Sequence, residues 1–499
     1  MTRPFSVPSP LAPRRLCPGL HALRGVLGQA RIVLGAGLAM LALELPAQTP
    51  AGARPKPNIV FILADDLGYG DLGSYGQTVI KTPNIDRLAT QGMRFTQFYA
   101  GAPVCAPSRN VLMTGQHVGH ATIRGNDKVD LQPEDVTVAA VLKSAGYTTG
   151  LVGKWGLGSE GTAGAPNAKG FDYFYGYLDQ TMAHNYYPTY LMRNTERVPL
   201  RNVVPNAGPY GQGVASVKLD YSADLIGDEA VKFLRDHRSR PFFLYFAPTL
   251  PHANNESRPD GMEVPDYGTY ASEAWPATAK GFAAMVTRLD DQVGRLLAEL
   301  TTLGLEDNTL VIFASDNGPH AEGGHIPAFF KSSGPLRGQK RDLYEGGIRV
   351  PFIARWPGRI PAGATSDHPG YFGDFMATAA EISGGNPPAG LDSLSFLPAM
   401  TGASPSQKKH EFLYWEFYEG ASAQAVRFAN WKAVRSPMFT GKIELYDLAT
   451  DLGEKTNVAE AHPDLITNAA RLMQEAHVPS PLWKVTPPAR GTAAPATPK

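Results

Sequence analysis

An apolar run, Asn58-Ile59-Val60-Phe61-Ile62-Leu63-Ala64, ends in the acidic pair Asp65-Asp66. Continuous apolar runs of this length are typical of strands that are buried on both faces of a parallel sheet. Short runs of this kind alternate with helix-like stretches along the chain. This alternation predicts an α/β fold with a mostly parallel mixed sheet flanked by helices. Three further runs also lead into polar groups: Thr148 to Val152 before Gly153-Lys154, Phe242 to Phe246 before Pro251-His252, and Thr309 to Ser315 before Asp316-Asn317.

The polar groups at the ends of these runs indicate a metal site. In an open α/β sheet, ligands bind beyond the carboxyl ends of the strands, so Asp65, Asp66, Asp316 and Asn317 would face one pocket if their strands are parallel neighbours. Three adjacent carboxylates repel one another unless a cation lies among them. Oxygen donors suit Ca²⁺ or Mg²⁺ rather than zinc. An Asp-Asp pair by itself is more often a turn or a helix cap, so the metal prediction depends on its pairing with Asp316-Asn317.

The second feature is an isolated cysteine. The chain has two cysteines, and Cys17 lies in a predicted export signal, so Cys105 is left without a disulfide partner. The run Cys105-Ala106-Pro107-Ser108-Arg109, continued by Leu112-Met113-Thr114-Gly115, resembles the signature of the type I sulfatases. In that family the cysteine is oxidised to formylglycine (3-oxoalanine). The alternatives are an inert buried thiol and an ordinary cysteine nucleophile, although the Cys/His signatures of the protease families are missing.

The resemblance spans about residues 55–480 and implies both a fold and a site. The implied fold is that of the alkaline phosphatase and sulfatase superfamily. The implied metal is one Ca²⁺ per chain, and the implied nucleophile is the formylglycine hydrate made from Cys105. Arg109 would lean back toward Cys105 from a helix that begins near Pro107. The resemblance implies that His252 donates a proton to the departing alcohol and that Lys154 and Lys340 contact the sulfate. It implies that Arg109 supports the hydrate and the metal ligands. The implied calcium ligands are Asp65, Asp66, Asp316, Asn317 and the modified Cys105.

One position departs from the family pattern. The family usually has Gly-Lys-Trp-His-Leu-Gly, whereas this chain has Gly153-Lys154-Trp155-Gly156-Leu157-Gly158. The missing histidine leaves the base of the second half-reaction unassigned. Three histidines are candidates to replace it, because imidazole titrates near working pH, and each fits substrate binding or loop capping equally well: His184, His320 and His325. Gln180 falls at the place of a family serine, which indicates altered substrate contacts.

These features predict a sulfuric ester hydrolase that releases inorganic sulfate and an alcohol. A sulfated carbohydrate is the preferred substrate among sulfated small molecules and glycans, because Tyr186, Tyr187, Tyr190 and Trp275 can contact a sugar, although core packing explains such a cluster equally well. The alternatives are a formylglycine-dependent phosphodiesterase or phosphonate hydrolase, and a non-catalytic protein that binds sulfated glycans. A formylglycine-generating maturation enzyme is an expected partner.

Composition and the chain ends predict an exported protein. The 499 residues include 46 basic and 46 acidic side chains, a balance that gives no footprint for nucleic acid. Residues 1–47 combine arginines with a short apolar core and are predicted to be a signal peptide, which implies contact with the export machinery and a periplasmic or secreted location. No later segment predicts stable membrane insertion. We expect a linker at 48–57, a catalytic domain at 58–384, a C-terminal subdomain at 385–482 and a disordered tail at 483–499.

The predicted C-terminal subdomain has a different strand pattern. Alternating runs at 411–418, 425–434 and 444–448 indicate a small antiparallel sheet. Residues 460–476 follow as an amphipathic helix. We therefore expect an α+β subdomain beside the main sheet.

Overall fold

The computed structural model describes residues 55–485. The predicted signal peptide, most of the predicted linker and residues 486–499 lie outside the described residues. Within the described part, no helix has both the length and the apolar character that a bilayer span needs.

The described strands and helices alternate along most of the chain. The strands are β1 (Asn58–Ala64), β2 (Met93–Tyr99), β3 (Thr148–Lys154), β4 (Tyr173–Tyr177), β5 (Tyr190–Arg193), β6 (Glu196–Pro199), β7 (Phe242–Ala247), β8 (Thr309–Ser315), β9 (Arg349–Arg355), β10 (Ala364–Ser366), β11 (Gly370–Tyr371), β12 (Leu413–Phe417), β13 (Ala423–Phe428), β14 (Trp431–Arg435) and β15 (Ile443–Asp447). The helices are α1 (Pro83–Thr90), α2 (Cys105–Thr114), α3 (Val138–Ser144), α4 (Ser222–His237), α5 (Ala277–Thr302), α6 (Pro327–Phe330), α7 (Glu345–Ile348), α8 (Asp374–Ser383), α9 (Leu397–Met400) and α10 (Pro463–Glu475).

The main sheet confirms the predicted fold class. Its strand order is β10-β2-β9-β8-β1-β7-β3-β4-β5-β6, with β11 also beside β2. The four runs chosen from the sequence are the adjacent strands β8, β1, β7 and β3, and all three pairings between them are parallel. Antiparallel pairings occur toward the two edges, for example between β8 and β9 and between β4 and β5. The carboxyl ends of the four central strands therefore meet at one edge of the sheet.

The continuous apolar character of β1 follows from its place in the centre of the sheet. Successive side chains of a strand point to opposite faces. Accordingly Ile59, Phe61 and Leu63 belong to one core cluster, whereas Val60 and Ile62 belong to the cluster on the other face. Both faces are covered, so neither set of positions can be polar.

The second sheet is antiparallel, with the order β12-β13-β14-β15, as the C-terminal pattern predicts. One detail of the prediction is wrong: the run 425–434 is not a single strand. The chain reverses at Ala429-Asn430, where Ala429 has a φ of 47°, and Phe428 pairs with Trp431 across the turn. Two short strands joined by a two-residue turn carry the same apolar composition as one long strand, so the run conceals the reversal. The predicted helix at 460–476 is α10, which packs Leu472 and Met473 into this subdomain.

Candidate active site

Cys105 lies at the first position of α2, directly after the extended residue Val104. The predicted helix thus begins two residues before Pro107. All ten residues of α2 are buried, so the helix holds the cysteine rigidly against the carboxyl ends of the central strands. The Cys105 Sγ lies 3.4 Å from Asp65 Oδ1 and 3.7 Å from Asp66 Oδ1. Burial raises the pKa of Cys105 well above its ordinary value, so the unmodified thiol is a poor nucleophile.

The register of the sheet brings the two acidic pairs together. Ala64 of β1 pairs with Ser315 of β8, so the residues that follow each strand meet. The Asp66 backbone N–H donates to Asp316 Oδ1 at 3.0 Å, and Asn317 Nδ2 donates to Asp66 Oδ1 at 2.8 Å. The second side-chain atom, Asn317 Oδ1, is buried and has no hydrogen-bond partner among the described residues.

Arg109 and Lys154 face this acidic cluster from one side. Arg109 donates to Asp316 Oδ2 from Nε at 3.0 Å and from Nη2 at 2.8 Å, and its Nη1 donates to the backbone oxygen of Lys154 at 3.0 Å. The Lys154 ammonium donates to Asp65 Oδ2 at 2.8 Å. Both side chains are fully buried, and buried cations of this kind are retained only when paired. Arg109 thus orients Asp316 and the Lys154 strand end.

The buried carboxylates of the cluster are not equally compensated by neighbouring positive charges. Burial raises the pKa of Asp65, but the charges of Lys154 and Arg109 outweigh it and hold that pKa well below its usual range. For Asp316, burial and the adjacent Asp65 carboxylate together raise the pKa. A third buried carboxylate is therefore not fully compensated by the protein. Ligand atoms of Asp65, Asp66 and Cys105 lie within 4.8 Å of one another, and the unpartnered Asn317 oxygen adds a further donor, so the residues present fit a divalent cation with oxygen ligands.

His252 and Lys340 face the cluster from the other side. His252 Nδ1 lies 2.7 Å from the Ala253 carbonyl oxygen, which can only accept, so Nδ1 carries the hydrogen and Nε2 carries the lone pair. That Nε2 lies 3.3 Å from Lys340 Nζ, which also donates to Asp66 Oδ2 at 2.8 Å. Burial and the Lys340 charge lower the pKa of His252 to about 3. At neutral pH the proton of this pair is therefore on Lys340.

The other predicted histidines have different surroundings. His184 stacks on His252, with ring centroids 4.9 Å apart, and so borders the site. His320 has contacts at both ring nitrogens: Nε2 lies 3.1 Å from the Pro251 oxygen, and Nδ1 accepts from the Glu322 backbone N–H at 3.1 Å. His325 is buried behind it and stacks on Phe282 with centroids 3.7 Å apart. His184 and His320 thus both have rings that stack on His252, a predicted catalytic side chain, with the His320 and His252 centroids 5.9 Å apart.

Two residues of the site had no sequence signal. Glu322 accepts from Lys340 at 3.0 Å and forms an ion pair with Arg341, so it shares Lys340 with Asp66. Asn126 accepts from the Ala106 backbone N–H, next to Cys105, at 3.1 Å. Both are single polar residues in loops without a recurring pattern. Neither residue belongs to a motif, although Glu322 lies between the candidate histidines His320 and His325 in the sequence.

This site combines buried carboxylates, buried cations and a rigid cysteine at the carboxyl ends of parallel strands, which is an arrangement for the hydrolysis of an anionic ester. Residues 57–385 match the family model described as Sulfatase. Residues 338–477 match the model described as N-sulphoglucosamine sulphohydrolase, C-terminal. The chain belongs to the sulfatase family, as the cysteine motif predicts, and is a sulfuric ester hydrolase.

Relatives and solved structures agree with this assignment. The N-acetylgalactosamine-6-O-sulfatase of Bacteroides thetaiotaomicron is 31% identical over 496 residues, covering 84% of this chain and 93% of the relative. Arylsulfatase A of Bos taurus is 32% identical over 488 residues, covering 88% and 90%. The crystal structure of Ps i-CgsB in complex with k-i-k-neocarrahexaose has a TM-score of 0.70 at 28% identity and covers 84% of this chain and 92% of that chain. The similarity therefore extends over both sheets.

Proposed function

We propose that this sulfatase hydrolyses a sulfate ester of a carbohydrate and releases inorganic sulfate and the free sugar hydroxyl. The observation that carries the proposal is the position of Cys105, whose Sγ lies 3.4 Å from Asp65 Oδ1 inside a buried cluster of carboxylates and cations. The carbohydrate is supported by the similarity to an N-acetylgalactosamine-6-O-sulfatase and to a structure containing a neocarrahexaose.

Two groups would complete the site. Formylglycine at position 105, made by a maturation enzyme, supplies a hydroxyl nucleophile in its hydrated form where the unmodified chain has only a protonated thiol. Ca²⁺ held by Asp65, Asp66, Asp316, Asn317 and the modified residue 105 supplies positive charge beside the sulfate. The all-oxygen donor set of the four protein side chains favours calcium over zinc, and the unpartnered Asn317 oxygen is suited to one of its ligand positions.

The two lysines would bind the sulfate group. Lys154 donates to Asp65 and Lys340 donates to Asp66, so the ammonium groups lie on the two sides of the acidic pair that contacts Cys105. A sulfate placed over Cys105 would meet both. Preorganised cations of this kind stabilise the charge that builds up on the sulfuryl oxygens. Arg109 contacts carboxylates and backbone rather than this space, so we assign it a positioning role.

The proton for the departing alcohol would come from the Lys340–His252 pair. His252 Nε2 has a lone pair directed at the Lys340 ammonium at 3.3 Å. Its Nδ1–H is fixed by the Ala253 oxygen, which sets the ring orientation. As negative charge develops on the leaving oxygen, the Lys340 ammonium would give it one proton, and the His252 Nε2 lone pair would hold that ammonium in position.

The cellular setting is also part of the proposal. The signal-like residues 1–47 support export to the periplasm or beyond. Within the mature chain we propose residues 58–384 as the catalytic domain and 385–482 as the C-terminal subdomain that closes one side of the substrate pocket. Because Cys105 is buried in the folded chain, aldehyde formation by the maturation enzyme would have to precede folding.

The proposal is tested by producing the protein with and without a formylglycine-generating enzyme. Peptide mass spectrometry measures the conversion of Cys105, and ion chromatography measures sulfate release from 4-nitrophenyl sulfate and N-acetylgalactosamine 6-sulfate. Sulfate release should rise in proportion to conversion and vanish in Cys105→Ala. Equal release by unconverted protein would contradict the proposal. Faster turnover of bis(4-nitrophenyl) phosphate than of both sulfates would favour the phosphodiesterase alternative, and calcium-dependent glycan binding without any release would favour the binding protein.

A further inference from the structure

The Gln180 side chain lies in the space that Gly156 leaves beside the active site. Gly156 has a φ of 73°, and a Cβ at that position would lie 3.0 Å from Gln180 Oε1. The two segments are joined by a hydrogen bond from the Gly156 N–H to the Leu178 oxygen at 3.1 Å. Glycine at 156 therefore both permits the left-handed backbone and makes room for the amide of Gln180.

The orientation of this amide is determined by a backbone group next to Cys105. The Ala106 N–H donates to Asn126 Oδ1 at 3.1 Å. Because that oxygen can only accept, Gln180 must turn its NH₂ group toward it, and Nε2 donates to Asn126 Oδ1 at 2.7 Å. Gln180 Oε1 consequently points away from Asn126. It is buried and has no hydrogen-bond partner among the described residues.

A buried oxygen without a partner calls for a donor, because unsatisfied polar atoms are costly. Gln180 and Asn126 line a narrow cleft together with Gly156 and with Ala106, the residue that follows Cys105, so this oxygen lies close to the position of the reacting group. Hydroxyl groups are the donors that a sugar offers. An amide oxygen cannot bind a second sulfate, which has acceptors only.

The charges around the cleft also disfavour a second anion. Its lining includes three carboxylates and one ammonium group, those of Asp127, Asp130, Asp179 and Lys128. The ammonium is already engaged, since Lys128 pairs with Asp179 and lies 3.9 Å from the ring centroid of Tyr210. The net negative lining repels further sulfate or carboxylate groups on the substrate.

We propose that Gln180, held in orientation by Asn126, accepts a hydrogen bond from a free hydroxyl of the sugar that carries the sulfate ester, and that the cleft selects singly sulfated sugars over those with a second anionic group nearby. This inference rests on the proposed function. Gln180 is a specificity-determining residue in this account, and its neutral amide takes no part in proton transfer.

The test compares Gln180→Leu with the unaltered, formylglycine-containing enzyme on two probes. N-acetylgalactosamine 6-sulfate presents sugar hydroxyls, and 4-nitrophenyl sulfate presents none. The ratio of kcat/KM for the sugar sulfate to kcat/KM for the aryl sulfate should fall about 5-fold in the variant, which is the usual contribution of one neutral hydrogen bond. Gln292→Leu is the matched control. It removes another buried amide, which lies in α5 and donates to the Ala223 oxygen at 2.7 Å. This variant should leave the ratio unchanged.

A second measurement needs no stable variant. Among monodeoxy analogues of the sugar sulfate, one should lose about 5-fold in kcat/KM with the unaltered enzyme, and Gln180→Leu should show no further loss on that analogue. The 4,6-disulfated sugar should be a poorer substrate than the 6-sulfate.

The outcomes separate this inference from the proposed function. Sulfate release from neither probe would overturn both. An unchanged ratio in Gln180→Leu, equal rates on all deoxy analogues, a preference for the disulfated sugar, or cleavage of the aryl ester alone would overturn the inference and leave the sulfatase activity standing.

Discussion

Lys432 connects the small sheet to the main sheet through a fully buried ion cluster. Its ammonium lies 3.0 Å from Glu345 Oε1 and 3.4 Å from Glu454 Oε1, and all three side chains have no exposed surface. Glu345 also accepts from Tyr99 at 2.7 Å and from Arg349 at 3.2 Å. Lys432 thus compensates two carboxylates, of which Glu345 has a second cation nearby.

Replacing Lys432 with Met keeps the aliphatic length and removes the charge. Breaking a buried ion pair by removing one partner costs about 3–5 kcal/mol, because the remaining charge is left without compensation. Since Glu345 keeps Arg349, the uncompensated group is Glu454. We therefore expect the free energy of unfolding to fall by about 3–5 kcal/mol at pH 8.

The loss should depend on pH in a definite direction. Burial and the neighbouring Glu345 already raise the pKa of Glu454 to about 7, against the opposing charge of Lys432. Without Lys432 that pKa rises further, so the folded state holds a proton that the unfolded state releases. The protonated Glu454 then contributes its full stabilisation below the pKa of the unfolded state, near 4.5. That contribution is lost as the pH rises toward the pKa of Glu454 in the folded state. The deficit of Lys432→Met should be smaller at pH 5 than at pH 8.

Equilibrium urea unfolding followed by tryptophan fluorescence, at pH 5 and pH 8, measures both effects. Lys432→Met/Glu454→Gln should recover much of the loss at pH 8, because it removes the stranded charge. Arg471→Met, which breaks the exposed pair with Glu475, is the control and should be indistinguishable from the unaltered protein. A deficit under about 1 kcal/mol at pH 8, or a larger deficit at pH 5, would refute the reasoning.

Three further predictions concern Gly156, the proposed metal ligand Asp316, and Asp71 in the loop that follows β1. Gly156→Ala forces a left-handed alanine, which costs about 1–2 kcal/mol, and displaces Gln180; urea unfolding should show the loss, and the sugar-to-aryl selectivity ratio should fall as in Gln180→Leu. Asp316→Asn should weaken Ca²⁺ binding at least 10-fold in isothermal titration, since it removes one ligand charge; unchanged affinity would exclude Asp316 as a ligand. Burial raises the pKa of Asp71 to about 7, so the folded protein binds a proton at Asp71 that the unfolded chain releases, and stability falls between pH 4 and pH 7. Asp71→Asn should flatten this decline of the melting temperature with pH. An equally steep decline in the variant would contradict the assignment.

Much of the site is visible in the sequence because its signals are local. A strand buried on both faces must be apolar at every position, so β1 and β8 stand out, and polar residues that follow them directly are conspicuous. The contiguous run from Cys105 to Gly115 indicates a helix and identifies the family. The turn at Ala429-Asn430 was missed because strand length, unlike strand composition, depends on pairing with β12 and β15.

The α/β class, the sulfatase family and the candidate residues of the site can be predicted from the sequence, since each depends on residue type and on spacing within a few positions. Which groups share a proton or a hydrogen bond depends on the folded arrangement of distant segments. Lys340 contacts both Glu322 and Asp66, and Asp66 lies 274 residues before Lys340 in the chain. Gln180 fills the space at Gly156 because a different loop supplies its partner Asn126. Such contacts arise from the order of strands in the sheet and from the packing of loops above it, and those are properties of the whole folded chain rather than of any local pattern.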